Sequence, residues 1–141
     1  MSWGPPNPGG LPPTAGGELE ARPHTRARGR AAEDRAVAWL ELRGYRIEAR
    51  NVINAAGEID VVARDGETLC FIEVKARATG SYGPAITAVD GRKQRRLARA
   101  AALYLALQAV EGPCRFDVLG MDREEGGDWA FTLLRDAFEG R

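Results

Sequence analysis

The stretch from Gly57 to Arg77, GEIDVVARDGETLCFIEVKAR, constrains the fold more than any other part of the chain. Apolar and polar side chains alternate on both sides of Asp65-Gly66, a dipeptide suited to a tight β-hairpin turn because both residues tolerate positive φ. With Asp65 and Gly66 as the loop, Arg64 faces Glu67, and the pairing runs back through Val62 with Leu69 and Asp60 with Phe71 to Glu58 with Glu73. Side chains alternate across a strand, so Ile59, Val61, Ala63, Cys70, Ile72 and Val74 make a wholly apolar face that belongs against a core. The other face carries Glu58, Asp60, Leu69, Phe71, Glu73 and Lys75. In this register Asp60 and Glu73 are diagonal neighbours, with Cβ atoms roughly 7–8 Å apart or somewhat less. Two carboxylates at that spacing can converge on one divalent cation. Charge in an antiparallel strand ordinarily marks a solvated face, but acids crowded together without a cation repel, and like charges across strands destabilise a sheet.

The 141 residues suffice for one domain and a tail. Residues 1–27 are rich in Pro and Gly and hold almost nothing apolar beyond Trp3 and Leu11, so they are expected to be a disordered tail ahead of a domain at 28–141. The tail lacks the apolar run of a signal peptide, and Ala100 to Val110 is too short to span a bilayer and is interrupted by Gln108. No membrane partner is expected. Cys70 and Cys114 lack C-x-x-C spacing and fall in apolar strand-like segments, which reads as reduced core thiols of a cytoplasmic protein. His24, the one histidine, lies in the tail, leaving little basis for a histidine triad or a zinc site. Formal net charge is +0, so a nucleic-acid partner would have to be met by a local patch.

A helix is expected from Arg30 to Arg43, stopped by Gly44. Glu33 continues its apolar stripe of Ala36, Val37 and Leu40, although an acid in a first turn is also what the helix dipole favours. Tyr45 to Asn51 alternates as a half-buried strand, predicted to join the hairpin in a three-stranded meander. Ala78 to Pro84 reads as a loop. Asp90 can cap a second helix from about Gly91 to Gln108. Leu97, Ala100, Ala101, Tyr104 and Leu105 form its buried stripe; Lys93 continues that stripe, whereas Arg92, Arg95, Arg96 and Arg99 lie on another side. Such a cluster is usually a solvated face, but here it follows the acidic strand and could hold a phosphate backbone. Cys114 to Met121 reads as a strand reached by a parallel crossover. Trp129 to Leu134 adds a short last strand, and Asp136, Ala137 and Phe138 a closing helical turn.

This order, with Glu33 on the first helix, Asp60 on the second strand and Glu73-x-Lys75 on the third, resembles the core of the PD-(D/E)xK nuclease superfamily. More narrowly the chain looks like the bacterial YraN family, on Gly29, Glu33, Asn51, GEID at 57–60, FIEVKAR at 71–77, Tyr82-Gly83, Lys93 and RFDV at 115–118. The resemblance covers about Arg28 to Phe138. It implies an α/β, restriction-endonuclease-like core, a mixed sheet flanked by helices. It makes Asp60 and Glu73 ligands of Mg2+ (or Mn2+), with the Val74 carbonyl as a further ligand, Lys75 orienting or deprotonating the attacking water, and Glu33 completing the metal's shell. Lys93, or Gln94 in its place, would approach the phosphate, and Arg92, Arg96 and Arg99 would hold nucleic acid. One departure is Ile59, where the superfamily often has proline before the first acid. The function so implied is a metal-dependent nuclease acting on nucleic acid, with structured DNA in repair or recombination as a substrate and a homodimer among the assemblies allowed. A non-catalytic nucleic-acid-binding module and a protein-interaction scaffold are the alternatives.

Overall fold

The computed structural model describes residues 23–78 and 90–138, with side chains from Gly29 onward. The chain divides into two units, Met1–Asp34 and Arg35–Arg141. The expected tail falls outside the described residues as far as residue 22, as does most of the Ala78 to Pro84 loop, with Tyr82-Gly83. Helix α1 spans Pro23–Leu42, beginning seven residues before the expected Arg30. Proline suits a helix start because its missing N–H has no intrahelical acceptor there. At the other end Gly44 takes φ +96°. The Tyr45 N–H then returns to Leu40 O at 3.1 Å, closing the helix.

Strands β1 (Arg46–Asn54), β2 (Gly57–Asp65) and β3 (Thr68–Arg77) form the antiparallel meander; α2 (Gly91–Leu107) crosses over to β4 (Cys114–Arg123), and β5 (Trp129–Phe138) returns beside it. The sheet order is β1-β2-β3-β4-β5. Only β3 and β4 run parallel. The α/β mixed sheet flanked by helices is therefore as expected from the sequence.

The hairpin register corrects the sequence reading by two residues. Val61 pairs with Ile72, Val62 with Phe71 and Asp65 with Thr68, so the loop is Gly66-Glu67. Gly66 alone takes a positive φ, +64°, which suits a turn with glycine at its first central position. Asp65 is drawn out of the loop into a 2.7 Å bond with Arg115. A shift of two keeps every side chain on its own face, whereas a shift of one would invert them.

Alternation does break once. Ile59, expected with Val61 and Ala63 on the far face, joins Val62, Leu69, Phe71, Leu97, Ala100, Ala101 and Phe116 in the core between sheet and α2. Asn51, which stands across from Asp60 in the β1–β2 register, has φ +52° and breaks the regular pleat at that level. In this core Phe71 meets Tyr104 edge-on at 5.9 Å and Phe116 at 5.6 Å. Burying one such side chain contributes on the order of 1.5–3 kcal/mol. Beyond this cluster Tyr45, Ile72, Leu119 and Met121 are buried too, and Trp39 of α1 stacks on Phe131 at 5.0 Å.

Two further expectations change. Strand β5 continues to Phe138 in place of the closing helical turn, with Asp136 at φ +54° absorbing a bulge. Cys70 is buried as expected, but Cys114 begins β4 and is exposed. No helix among the described residues is long and apolar enough to cross a membrane.

Candidate metal and phosphate site

Each strand of the hairpin contributes one acid where the β2–β3 ladder ends. One step beyond the Val61–Ile72 pair, Asp60 comes level with Glu73. They are direct neighbours, not diagonal ones. The two carboxyl groups are in hydrogen-bonding contact, and Asp60 Oδ2 also accepts the Val74 N–H at 2.8 Å. Val74 is thus tied to the site through its backbone.

Burial pushes the Glu73 carboxyl above the ordinary carboxylate range. The charges of Lys75 and Lys93 oppose that shift, Glu58 adds to it, and the bond with Asp60 opposes it. Lys75 is held below its ordinary value, first by hydrogen-bonding contact with Lys93, then by burial and the Lys93 charge, against the pull of Glu73 and Asp60. Helix α2 delivers Lys93 to this point. Its N-cap Asp90 accepts the Lys93 N–H at 3.0 Å, and Leu97, Ala100 and Ala101 press the helix onto the sheet.

A pocket of about 430 Å3 opens between the β1–β2 turn and α2, lined by Ile53, Asn54, Gly57, Glu58, Asp60, Glu73, Lys93, Arg96 and Leu97. Its wall is braced by Asn54, whose Nδ2 donates to Ala100 O at 3.1 Å while Oδ1 accepts the N–H groups of Ala56 and Gly57 at 2.9 and 3.2 Å. Gly57 lets the turn approach α2, since a Cβ there would stand 3.2 Å from Arg96 Cγ.

Of the residues singled out in the sequence, Asp60, Glu73, Lys75 and Lys93 converge, and Arg96 lines the same pocket. Gln94 is half-buried on α2, and Arg92 and Arg99 are exposed on it without lining the pocket. Glu33 is half-buried on α1 and belongs to the other unit, Met1–Asp34. Glu58, which alternation puts on the same face as Asp60, lines the pocket as well. Ile53 and Asn54 were not singled out in the sequence; their only signal is their position at the mouth of the N-A-A-G turn.

A second polar cluster also escaped the sequence reading. Asp117, 0% exposed, accepts from Tyr45 OH at 3.0 Å, from Arg115 Nε at 3.0 Å and from the Asp136 N–H at 2.8 Å. Arg115 reaches on to Asp65 at 2.7 Å and Tyr45 OH at 3.0 Å. Burial works against the guanidinium's charge, but these bonds outweigh it and hold the group above its ordinary value. The cluster ties together Tyr45 and strands β2, β4 and β5. The available signal was Arg115-x-Asp117, two opposite charges on one face of an otherwise apolar strand.

Two neighbouring carboxyl groups lining one pocket fit a divalent cation, which would take the place of the proton between them. Among the described residues no group of three or more His, Cys, Asp or Glu gathers to hold one. A sparing set of carboxylates, completed by backbone, water and a phosphate oxygen, is the habit of Mg2+ and not of a protein-caged metal.

Residues 32–121 match the uncharacterised protein family UPF0102. A UPF0102 protein of Symbiobacterium thermophilum is 48% identical over 111 residues, 78% of this chain and 94% of the relative. One from Shewanella amazonensis is 42% identical over 110 residues, 78% of this chain and 97% of the relative. One from Pseudomonas putida is 40% identical over 123 residues, 86% of this chain and 99% of the relative.

Proposed function

The chain belongs to the uncharacterised protein family UPF0102, the YraN family that its motifs resemble, and from the site above we propose that it is a metal-dependent phosphodiesterase cutting nucleic acid in the cytoplasm. The observation that carries this reading is that Asp60 and Glu73, level with each other across the hairpin, line one pocket together with Lys93 and Arg96. Asp60 and Glu73 would hold Mg2+ or Mn2+, with the Val74 carbonyl as a further oxygen. The ion, when bound, neutralises phosphate charge and acidifies a coordinated water.

The remaining work falls to side chains of this chain. Lys75, held below its ordinary value, can lose its proton more readily than a free lysine, so its Nζ can accept the proton of the attacking water. That water adds to phosphorus and the ester oxygen departs with a proton from solvent. Lys93, in contact with Lys75, donates to a non-bridging oxygen and opposes the charge that builds there. Arg96, one turn further along α2, suits a neighbouring phosphate.

Purified protein is expected to cut forked, flapped or four-way DNA in Mg2+ or Mn2+ and to stop on chelation, with Asp60→Ala inactive. Undiminished cutting by Asp60→Ala would overturn the assignment. Calorimetry separates the reading from a non-catalytic binding module, which has no reason to take up Mg2+ through Asp60 and Glu73.

A further inference from the structure

The pocket holds more than the reacting groups require. A phosphate with its cation is served by Asp60, Glu73, Lys93 and Arg96, yet the same pocket is lined by Ile53 near the end of β1 and by Leu97 on α2. Apolar walls do nothing for a phosphate. Ile53 is 76% exposed, among the most exposed large apolar residues described. It is not on a loose tip. The next residue, Asn54, is bonded both to Ala100 O on α2 and to the two backbone N–H groups that close the turn, and Gly57 packs against Arg96 and Ala100. At the rim of a pocket that also holds charge, this isoleucine offers apolar surface to whatever enters.

Volume and charge narrow what that can be. About 430 Å3 lies at the small end of the range for small-molecule pockets, roughly 300–1,000 Å3. That is room for one base with its sugar, not for a stacked base pair. Lys93 and Arg96 at the same pocket suit the phosphates on either side of that nucleotide. A nucleotide inside a duplex keeps its base stacked and offers only its backbone; one that is unpaired, or next to a strand break, can turn its base out at small cost. Apolar side chains that meet base steps in this way are a common device for reading deformable sites.

Resting on the phosphodiesterase reading, we infer that Ile53 is a specificity-determining wedge that packs against an unstacked base beside the scissile phosphate. The substrate class is nucleic acid with an unpaired nucleotide at the cut, not continuous duplex. The Ile53 side chain has no hydrogen-bonding group, so the wedge selects by stacking state and not by base identity.

The test is fluorescence anisotropy with the full chain in Ca2+ in place of Mg2+, so that binding is read on uncut probe, using a labelled continuous duplex, the same duplex with one bulged nucleotide, and the single strand. Wild type is expected to favour the bulged duplex and the single strand over the continuous duplex by about tenfold, in line with one base packed against a side chain. Ile53→Ala should bring that preference to within about twofold while leaving continuous-duplex affinity in place, and Ile53→Trp should raise it, as a larger apolar surface would. Thermal melts of both variants check that an exposed position has left the fold intact. A preference that survives Ile53→Ala, or a wild type that binds all three alike, overturns the wedge and leaves the phosphodiesterase reading standing. A wild type with affinity for none of them overturns both.

Discussion

Asp60 Oδ2 accepts the Val74 N–H at 2.8 Å, so the acid on one strand is fastened to the backbone beside the acid on the next. The bond uses one of the two carboxylate oxygens, Oδ2. Substituting Asp60 by Asn keeps an acceptor for Val74 while removing the charge. Asp60→Asn is therefore expected to unfold in urea within about 1 kcal/mol of wild type, since the bond is retained. It should lose measurable Mg2+ binding in calorimetry. Retained Mg2+ affinity would remove Asp60 from the metal set.

Glu73 sits above the ordinary carboxylate range because it is buried. Metal binding must displace its proton wherever that proton is held. Mg2+ affinity should rise with pH through the acid range, and titrations in buffers of differing ionisation enthalpy should report proton release that shrinks as pH increases. Glu73→Gln should abolish both the release and most of the affinity. Proton release equal in Glu73→Gln and wild type would place the titrating group elsewhere.

The thiol of Cys70 is pushed up to about 12, chiefly by burial and then by the Asp117 charge. A thiol in the unfolded chain ionises several units lower. The raised folded value adds stability that is whole below the unfolded pKa and is lost as pH climbs toward the folded one, by about 1.4 kcal/mol per pH unit while the unfolded chain alone releases the proton. Urea midpoints between pH 8 and 11 should fall less steeply for Cys70→Ala than for wild type. In native protein at pH 8 a thiol reagent should titrate Cys114, which is exposed, and reach Cys70 only on unfolding.

Removing Asp117 takes an acceptor from the buried Tyr45 OH and from the half-buried Arg115, which keeps only its bonds to Asp65 and Tyr45. Asp117→Ala should cost roughly 3–5 kcal/mol, the scale for breaking a buried pair by deleting one side. Tyr45→Phe should cost about 1 kcal/mol. Equilibrium urea denaturation reads both, and a loss under 1 kcal/mol for Asp117→Ala would show that the network is dispensable to the fold.

How far the sequence carries can be judged from Gly57 to Arg77. Period-two alternation placed Asp60, Glu73 and Lys75 on one face, and a register wrong by two residues left that placement intact. What alternation lacked was any view of Arg115, fifty residues further along, whose bond to Asp65 sets which two residues make the turn. Ile59 was misplaced for a similar reason, because the left-handed Asn51 lies on the neighbouring strand. Helix offsets found Lys93 since Leu97 and Ala100 define the buried side of α2. They gave no hint of Ile53, whose meaning depends on a turn folding back over that helix.

Gly57 offers a check on how tightly that turn is set. Its φ of +156° and the 3.2 Å approach of a Cβ to Arg96 Cγ both oppose a side chain. Gly57→Ala should destabilise by about 1–3 kcal/mol, the scale for overpacking, and should weaken nucleic-acid binding through Arg96. A variant as stable as wild type with unchanged binding would show that turn and helix are free to separate.

The crossover between β3 and β4 also has a consequence during synthesis. Asp60 and Glu73 leave the ribosome first, Lys93 and Arg96 follow on α2, and the core that seats α2 includes Phe116 of β4. A nascent chain that has emerged only as far as residue 110 has made its acids and its cations, yet it lacks the strand that completes the surface holding them together. Assembly of the pocket is thereby deferred until the chain is nearly finished.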